Sequence, residues 1–182
     1  MSRLRSYWRR VTAPQVFVGS FALLIAFGTA GLLLIPGLYT GKPLSFVDAV
    51  FTATSAVCVT GLIVVDTATF FTHAGQAFIL VLIQLGGLGF ITFTTVIIQL
   101  LGERLSLRHE SLSSHHVEVN PHVDYRRVTR NILLFTIIIE ALGAGALFAL
   151  WVPAMPWRSA LWHAVFQAVS AFCNAGFSTF SD

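Results

Sequence analysis

The chain has 182 residues, of which 55% are hydrophobic and 10% charged, with a net charge of +3 and a mean hydropathy of +0.78. A soluble domain carries roughly 25% charged residues, so composition alone argues for an integral membrane protein. The small positive charge sits in separate arginine clusters rather than on one stripe, which excludes a nucleic-acid binder.

Residues 1–13 form a basic arm with Arg3, Arg5, Arg9 and Arg10, expected to lie in the cytoplasm. The apolar run behind it is too long for the core of a cleavable signal and reads as a first spanning helix, the outer helix of a unit, over 14–39. It contains no charge, Pro14 suits its start, and Pro36-Gly37 suits its end.

The next apolar stretch, 44–56, is too short to cross a hydrocarbon core of ~30 Å. Ser45 and Asp48 stand in a capping arrangement at its start. The β-branched, glycine-containing segment that follows, 57–62, does not continue a helix. A second spanning (inner) helix is expected over 74–101, with Gly86, Gly87 and Gly89 allowing close backbone approach.

Residues 102–130 are polar and read as a cytoplasmic loop carrying Arg104, Arg108, Arg126, Arg127 and Arg130. A third spanning helix is expected over 131–152, a short helix over 157–171, and a loop over 172–177. The arginines place the N-terminus and the 102–130 loop on the cytoplasmic side. Residues 40–73 must then leave and return on the outer side, and they are too few for two crossings. The segment is therefore expected to be re-entrant, a short pore helix followed by an extended loop.

A shift of 115 residues lays 49–61 on 164–176 with eight of thirteen positions identical, among them Cys58 on Cys173 and Gly61 on Gly176. The expected fold is thus an all-α membrane protein of repeated units: outer helix, re-entrant pore helix and filter loop, inner helix. One unit, 14–101, is complete, and the second, 131–182, is truncated after its loop.

Backbone that is not helical at membrane depth leaves carbonyls unpaired unless they line a watery cavity, and carbonyls aimed at a dehydrated cation meet that need. The candidate ion-binding residues are Val57, Cys58, Val59, Thr60 and Gly61 in the first loop, and Cys173, Asn174, Ala175 and Gly176 in the second. Asp66 is a candidate for concentrating cations at the pore mouth, or a plain solvated carboxylate. Glu140, mid-helix, is at least ~2.5 kcal/mol costly at the bilayer centre and is expected to hydrogen-bond a neighbouring loop or pore helix. Cys58 and Cys173 are expected to be buried, reduced thiols, and Trp151, Trp157 and Trp162 to anchor the interface. His115, His116 and His122 sit in a polar loop and do not make a convincing metal site; the same loop is a candidate docking surface for a regulatory subunit. No nucleophile–base set or paired acids point to an enzyme.

The runs TATSAVCVTGLIVVDT (52–67), QLGGLGFITF (84–93) and SAFCNAGFSTF (170–180) resemble the Trk/Ktr/HKT superfamily of potassium transporters, most nearly its Ktr-type membrane subunits. The resemblance implies four such units around one pore, each giving one filter glycine, with Gly61 and Gly176 as the first two. It also implies potassium uptake across the bacterial inner membrane, often sodium-stimulated, by a homodimer gated by cytoplasmic nucleotide-binding regulatory subunits. No cofactor beyond the transported K⁺ is implied. With two units of four, the alternative is a non-transporting fragment or relic that packs against a full-length subunit.

Overall fold

The computed structural model describes residues 13–110 and 125–181, and its described residues are helical, with no strand among them. In chain order the helices are α1 (Ala13–Leu34), α2 (Phe46–Val57), α3 (Thr67–Phe70), α4 (His73–Glu110), α5 (Tyr125–Trp151) and α6 (Trp157–Phe172). Three of them are long and apolar enough to cross a membrane, over Pro14–Leu34, His73–Thr95 and Arg127–Trp151. The 12-residue α2 reaches only about 18 Å at ~1.5 Å per residue, well short of the hydrocarbon thickness.

Several boundaries differ from the sequence expectation. The first long helix stops at Leu34 rather than at residue 39, because Pro36 follows and Gly37 turns the chain at φ +80°. Tyr39 then folds back, and its hydroxyl donates to the Leu32 carbonyl. Burial raises that hydroxyl above its ordinary pKa. The short helix α3 was not foreseen; Asp66 caps it.

α4 continues through residues expected to be loop, as far as Glu110. The extension is rich in Glu, Arg and Leu, all strong helix formers, and losing apolar character does not end a helix. α5 likewise begins at Tyr125, ahead of residue 131. The basic arm at 1–12 and residues 111–124, with His115, His116 and His122, lie outside the described residues.

The core gathers where the two short helices meet α4. Ala49, Ala53, Ala56 and Val57 of α2, Ile79, Leu82 and Ile83 of α4, and Phe166 of α6 are all fully buried. α1, by contrast, exposes Val16, Val18, Leu23, Phe27 and Leu34. An apolar helix that stays exposed is arranged for lipid or for further protein, not for water.

The 115-residue repeat extends into the packing. A Cβ built on Gly28 of α1 would lie 3.2 Å from Ala53 Cβ, and one built on Gly143 of α5 would lie 3.6 Å from Ala168 Cβ. Both partners of each pair are related by the same shift. The two helix pairs, α1 with α2 and α5 with α6, therefore cross at equivalent points.

Candidate functional site

The site begins at the start of α2. Ser45 Oγ accepts from the Asp48 N–H at 3.2 Å and donates to Asp48 Oδ2 at 2.7 Å. The expected cap is present, although the acid takes the serine hydroxyl rather than a backbone N–H.

The far ends of the two short helices close in the same way. In α2, the N–H of Val59 donates to Ala56 O and that of Thr60 to Ser55 O; in α6, Asn174 donates to Ala171 O and Ala175 to Ser170 O. These are paired Schellman closures, each needing a left-handed residue just past the helix. That residue is Val59 at φ 51° and Asn174 at φ 57°. Asparagine adopts this conformation readily, whereas a β-branched valine is strained there, as backbone at functional sites often is.

Two residues further on, Gly61 (φ 73°) and Gly176 (φ 74°) again take the left-handed region. The loop N–H groups are thus spent on the helix ends. Among the described residues, no hydrogen bond is accepted by the carbonyls of residues 58–61 or 173–176. Thr60, Asn174 and Gly176 are exposed, and Gly61 is half-buried. The loops lie against one another at their glycines: a Cβ on Gly61 would stand 2.8 Å from Ala175 O and 3.0 Å from Gly176 Cα.

α4 supports both loops from behind. A Cβ on Gly86 would collide with the Val57 carbonyl, and one on Gly87 would stand 2.7 Å from Cys173 Sγ. Gly89 meets only Phe21, at ordinary contact distance, so close approach belongs to the first two glycines of the three.

The side chains of the two loops differ. Thr60 Oγ1 donates to Ser55 Oγ at 3.1 Å, a brace that Ala175 cannot make. In the second loop Ser170 Oγ donates instead to the Phe177 carbonyl at 2.6 Å. Cys58 is half-buried and Cys173 buried, and both thiols are free.

The structure brings Gly61 of the first loop against Ala175 and Gly176 of the second, and Asp66 lies at the start of α3. Asp66 Oδ1 accepts from the Ala68 N–H at 3.1 Å and Oδ2 from Thr69 Oγ1 at 2.7 Å, so its carboxylate is engaged as the cap of α3. Glu140 lies near Gln84 of α4, and its buried Oε1 has no hydrogen-bond partner among the described residues. Trp162 is not a simple interfacial anchor: its Nε1 donates to Gln76 Oε1 at 2.6 Å, and its ring meets His73 edge-on. Trp157, largely exposed, lies under the Arg158 guanidinium, and Trp151 packs on Phe180.

Sequence reasoning missed Gln76. Its buried amide Nε2 lies 3.2, 3.3 and 3.4 Å from the carbonyls of Thr67, Ala68 and Phe71, tying the chain after the first loop to α4. Thr40 N–H to Phe70 O and Thr72 N–H to Leu38 O, 3.0 Å each, fasten the same stretch to the end of α1. A lone glutamine in an apolar run was the available signal. Among the described residues no cluster of potential ligands could hold a metal ion.

Three apolar helices long enough to span, two shorter helices and two loops in contact define a helical membrane protein. Its sequence matches the TrkH cation transport protein family model over residues 2–182, and the chain belongs to that family. It is 42% identical to the Ktr system potassium uptake protein B of Vibrio alginolyticus over 169 residues, covering 93% of this chain and 37% of the relative. It is 45% identical to the protein of the same name in Bacillus subtilis, covering 96% of this chain and 39% of the relative. The potassium/sodium uptake protein NtpJ of Enterococcus hirae is 35% identical, with the same two coverages. The chain therefore spans about two fifths of the length of these relatives, and belongs to a family of transport proteins rather than of enzymes.

Proposed function

We propose that the chain supplies two of the filter loops of a potassium-uptake pore. The short helices α2 and α6 enter the membrane part-way, and the loops after them return to the outer side. Backbone carbonyls of residues 58–61 and 173–176 take the place of water around a dehydrated K⁺, while that of Val57 faces α4 at Gly86. The helix C-termini, with their partial negative charge, point toward the same place.

The observation that carries this reading is the mutual contact of Gly61 and Gly176, reached by two loops with the same backbone closures. Contact between two glycines lets two loops share one axis, and the unspent carbonyls supply its ligands. The relatives' names support potassium as the ion, and the name of the Enterococcus relative adds sodium as a companion or competitor.

The resemblance implies that the whole pore closes from four units in one polypeptide, in a homodimer with cytoplasmic nucleotide-binding regulatory subunits. This chain then contributes the first two units. The arginines of the N-terminal arm and of residues 102–130 place those segments in the cytoplasm.

The test is growth of a potassium-uptake-deficient bacterium on low potassium. One strain expresses the chain as given; another expresses it in frame with whatever its gene encodes after Asp182. Rescue by either, lost with Gly61→Asp, supports the proposal. Membrane expression without rescue in both strains overturns it in favour of a non-transporting chain.

A further inference from the structure

The segment that leaves the second loop runs back along α6 and is fastened to one face of it. Ser170 and His163 stand about two turns apart on that helix, so they point the same way. Ser170 Oγ donates to the Phe177 carbonyl at 2.6 Å, and His163 Nδ1 lies 2.7 Å from Thr179 Oγ1. The imidazole also stacks on Phe180, with ring centroids 4.6 Å apart and planes inclined by 25°. Trp151, at the end of α5, meets Phe180 edge-on at 5.0 Å. His163 thus holds the exit segment by a hydrogen bond and by a ring contact at once.

Thr179 is only 4% exposed, and a hydroxyl buried so deeply is unfavourable without a partner. Either tautomer of the neutral ring satisfies it: the hydroxyl donates to Nδ1 in one and accepts from the Nδ1 proton in the other. The first unit has no such bond. The 115-residue shift puts Asp48 at the place of His163 and Val64 at that of Thr179. Valine offers no hydroxyl, and Asp48 is bonded to Ser45 instead. The segment after the first loop is gathered further along, by the Asp66 cap and the Gln76 amide.

We propose that His163 is a positioning residue of the second filter loop, acting through Thr179 and Phe180 to hold the loop's exit and so to set how tightly it takes K⁺. This rests on the filter reading above. The carbonyls of residues 173–176 accept no hydrogen bond among the described residues, so they are fixed by the anchoring of the chain on either side. On the entry side the closures onto Val169, Ser170 and Ala171 do this. On the exit side Ser170 and His163 do it. Releasing an exit anchor lets the carbonyls shift, and ligands that must be reassembled bind their ion less well.

The test measures K⁺ uptake in the deficient bacterium, with the chain expressed in frame with what its gene encodes after Asp182. Thr179→Val keeps the volume and removes the hydroxyl; His163→Phe keeps a ring against Phe180 and removes both nitrogens. Each should raise the KM for K⁺ about fivefold, the loss expected for one buried hydrogen bond, with the maximal rate per expressed protein held within about twofold. The double variant should be no worse than either single one, because both remove the same bond. Thr179→Ser and His163→Asn, which keep a hydrogen-bonding group in reach, should recover most of the parent's affinity. The same single and double variants are melted in detergent, which needs no transport, and their losses should likewise not add.

An unchanged KM in Thr179→Val and His163→Phe overturns the proposal even where melting shows the two coupled, because the bond is then structural only. Additive melting losses overturn it as well, and so does Thr179→Ser behaving like Thr179→Val. Where His163→Phe does not reach the membrane, the two Thr179 variants decide the matter through their KM values. Failure of the filter reading appears separately, as absent uptake in every version, the parent included, with the melting losses still coupled.

Discussion

Gly61 and Gly176 face each other closely: a β-carbon built on either would stand 3.0 Å from the α-carbon of the other. Both residues also hold left-handed backbone, where an L side chain costs roughly 1–2 kcal/mol. Gly61→Ala and Gly176→Ala should therefore each reduce potassium uptake at least about tenfold, the equivalent of ~1.4 kcal/mol. Gly61→Ala should be the worse, because its methyl also meets the Ala175 carbonyl at 2.8 Å. Uptake rates normalised to membrane expression check the order.

Gly86 and Gly87 should respond differently to the same change. The methyl of Gly86→Ala meets the backbone carbonyl of Val57, whereas that of Gly87→Ala meets the Cys173 side chain. Overpacking of this kind costs about 1–3 kcal/mol. Adding Cys173→Ala removes the obstructing sulfur and should restore much of the thermal stability lost in Gly87→Ala. It should do nothing for Gly86→Ala. Melting curves in detergent for the two pairs are the measurement.

Gln76→Leu leaves the carbonyls of Thr67, Ala68 and Phe71 without their donor and should lower stability by about 1–3 kcal/mol. Trp162→Phe removes only the N–H that Gln76 Oε1 accepts and should cost less. The two losses should not add, since they remove ends of one network. A double-mutant cycle on thermal unfolding shows whether they do.

Ser45→Ala removes both contacts at the start of α2 and should cost about 1 kcal/mol. Ser45→Asp, which retains an acceptor but places a second acid beside Asp48, should recover less than Ser45→Thr. The comparison is again made by thermal unfolding.

The parts of this molecule legible in the sequence were those that repeat. Cys58 with Cys173 and Gly61 with Gly176 stand at one shift, and the loops that carry them adopt the same closures. Val59 as a left-handed residue was not legible, because a β-branched residue carries no signal for that conformation. Gln76 with Trp162 and Gln84 with Cys173 are pairs far apart in sequence. Periodicity says nothing about which polar residue finds which across a helix packing. The length of α4 was underestimated because a change from apolar to charged residues marks a change of surroundings, not the end of a helix.

The adjacency of Gly86 and Gly87 has a genetic consequence. Neighbouring residues on a helix point about 100° apart, and here each glycine faces a different short helix. Deleting or inserting a single codon between Gln76 and Gly86 would rotate the glycine pair out of phase with Gln76. Gln76 could then no longer meet its partners while the glycines met theirs. Single-residue length changes in that interval should be absent from functional variants, whereas substitutions at its exposed positions, such as Val81 and Leu85, should be common.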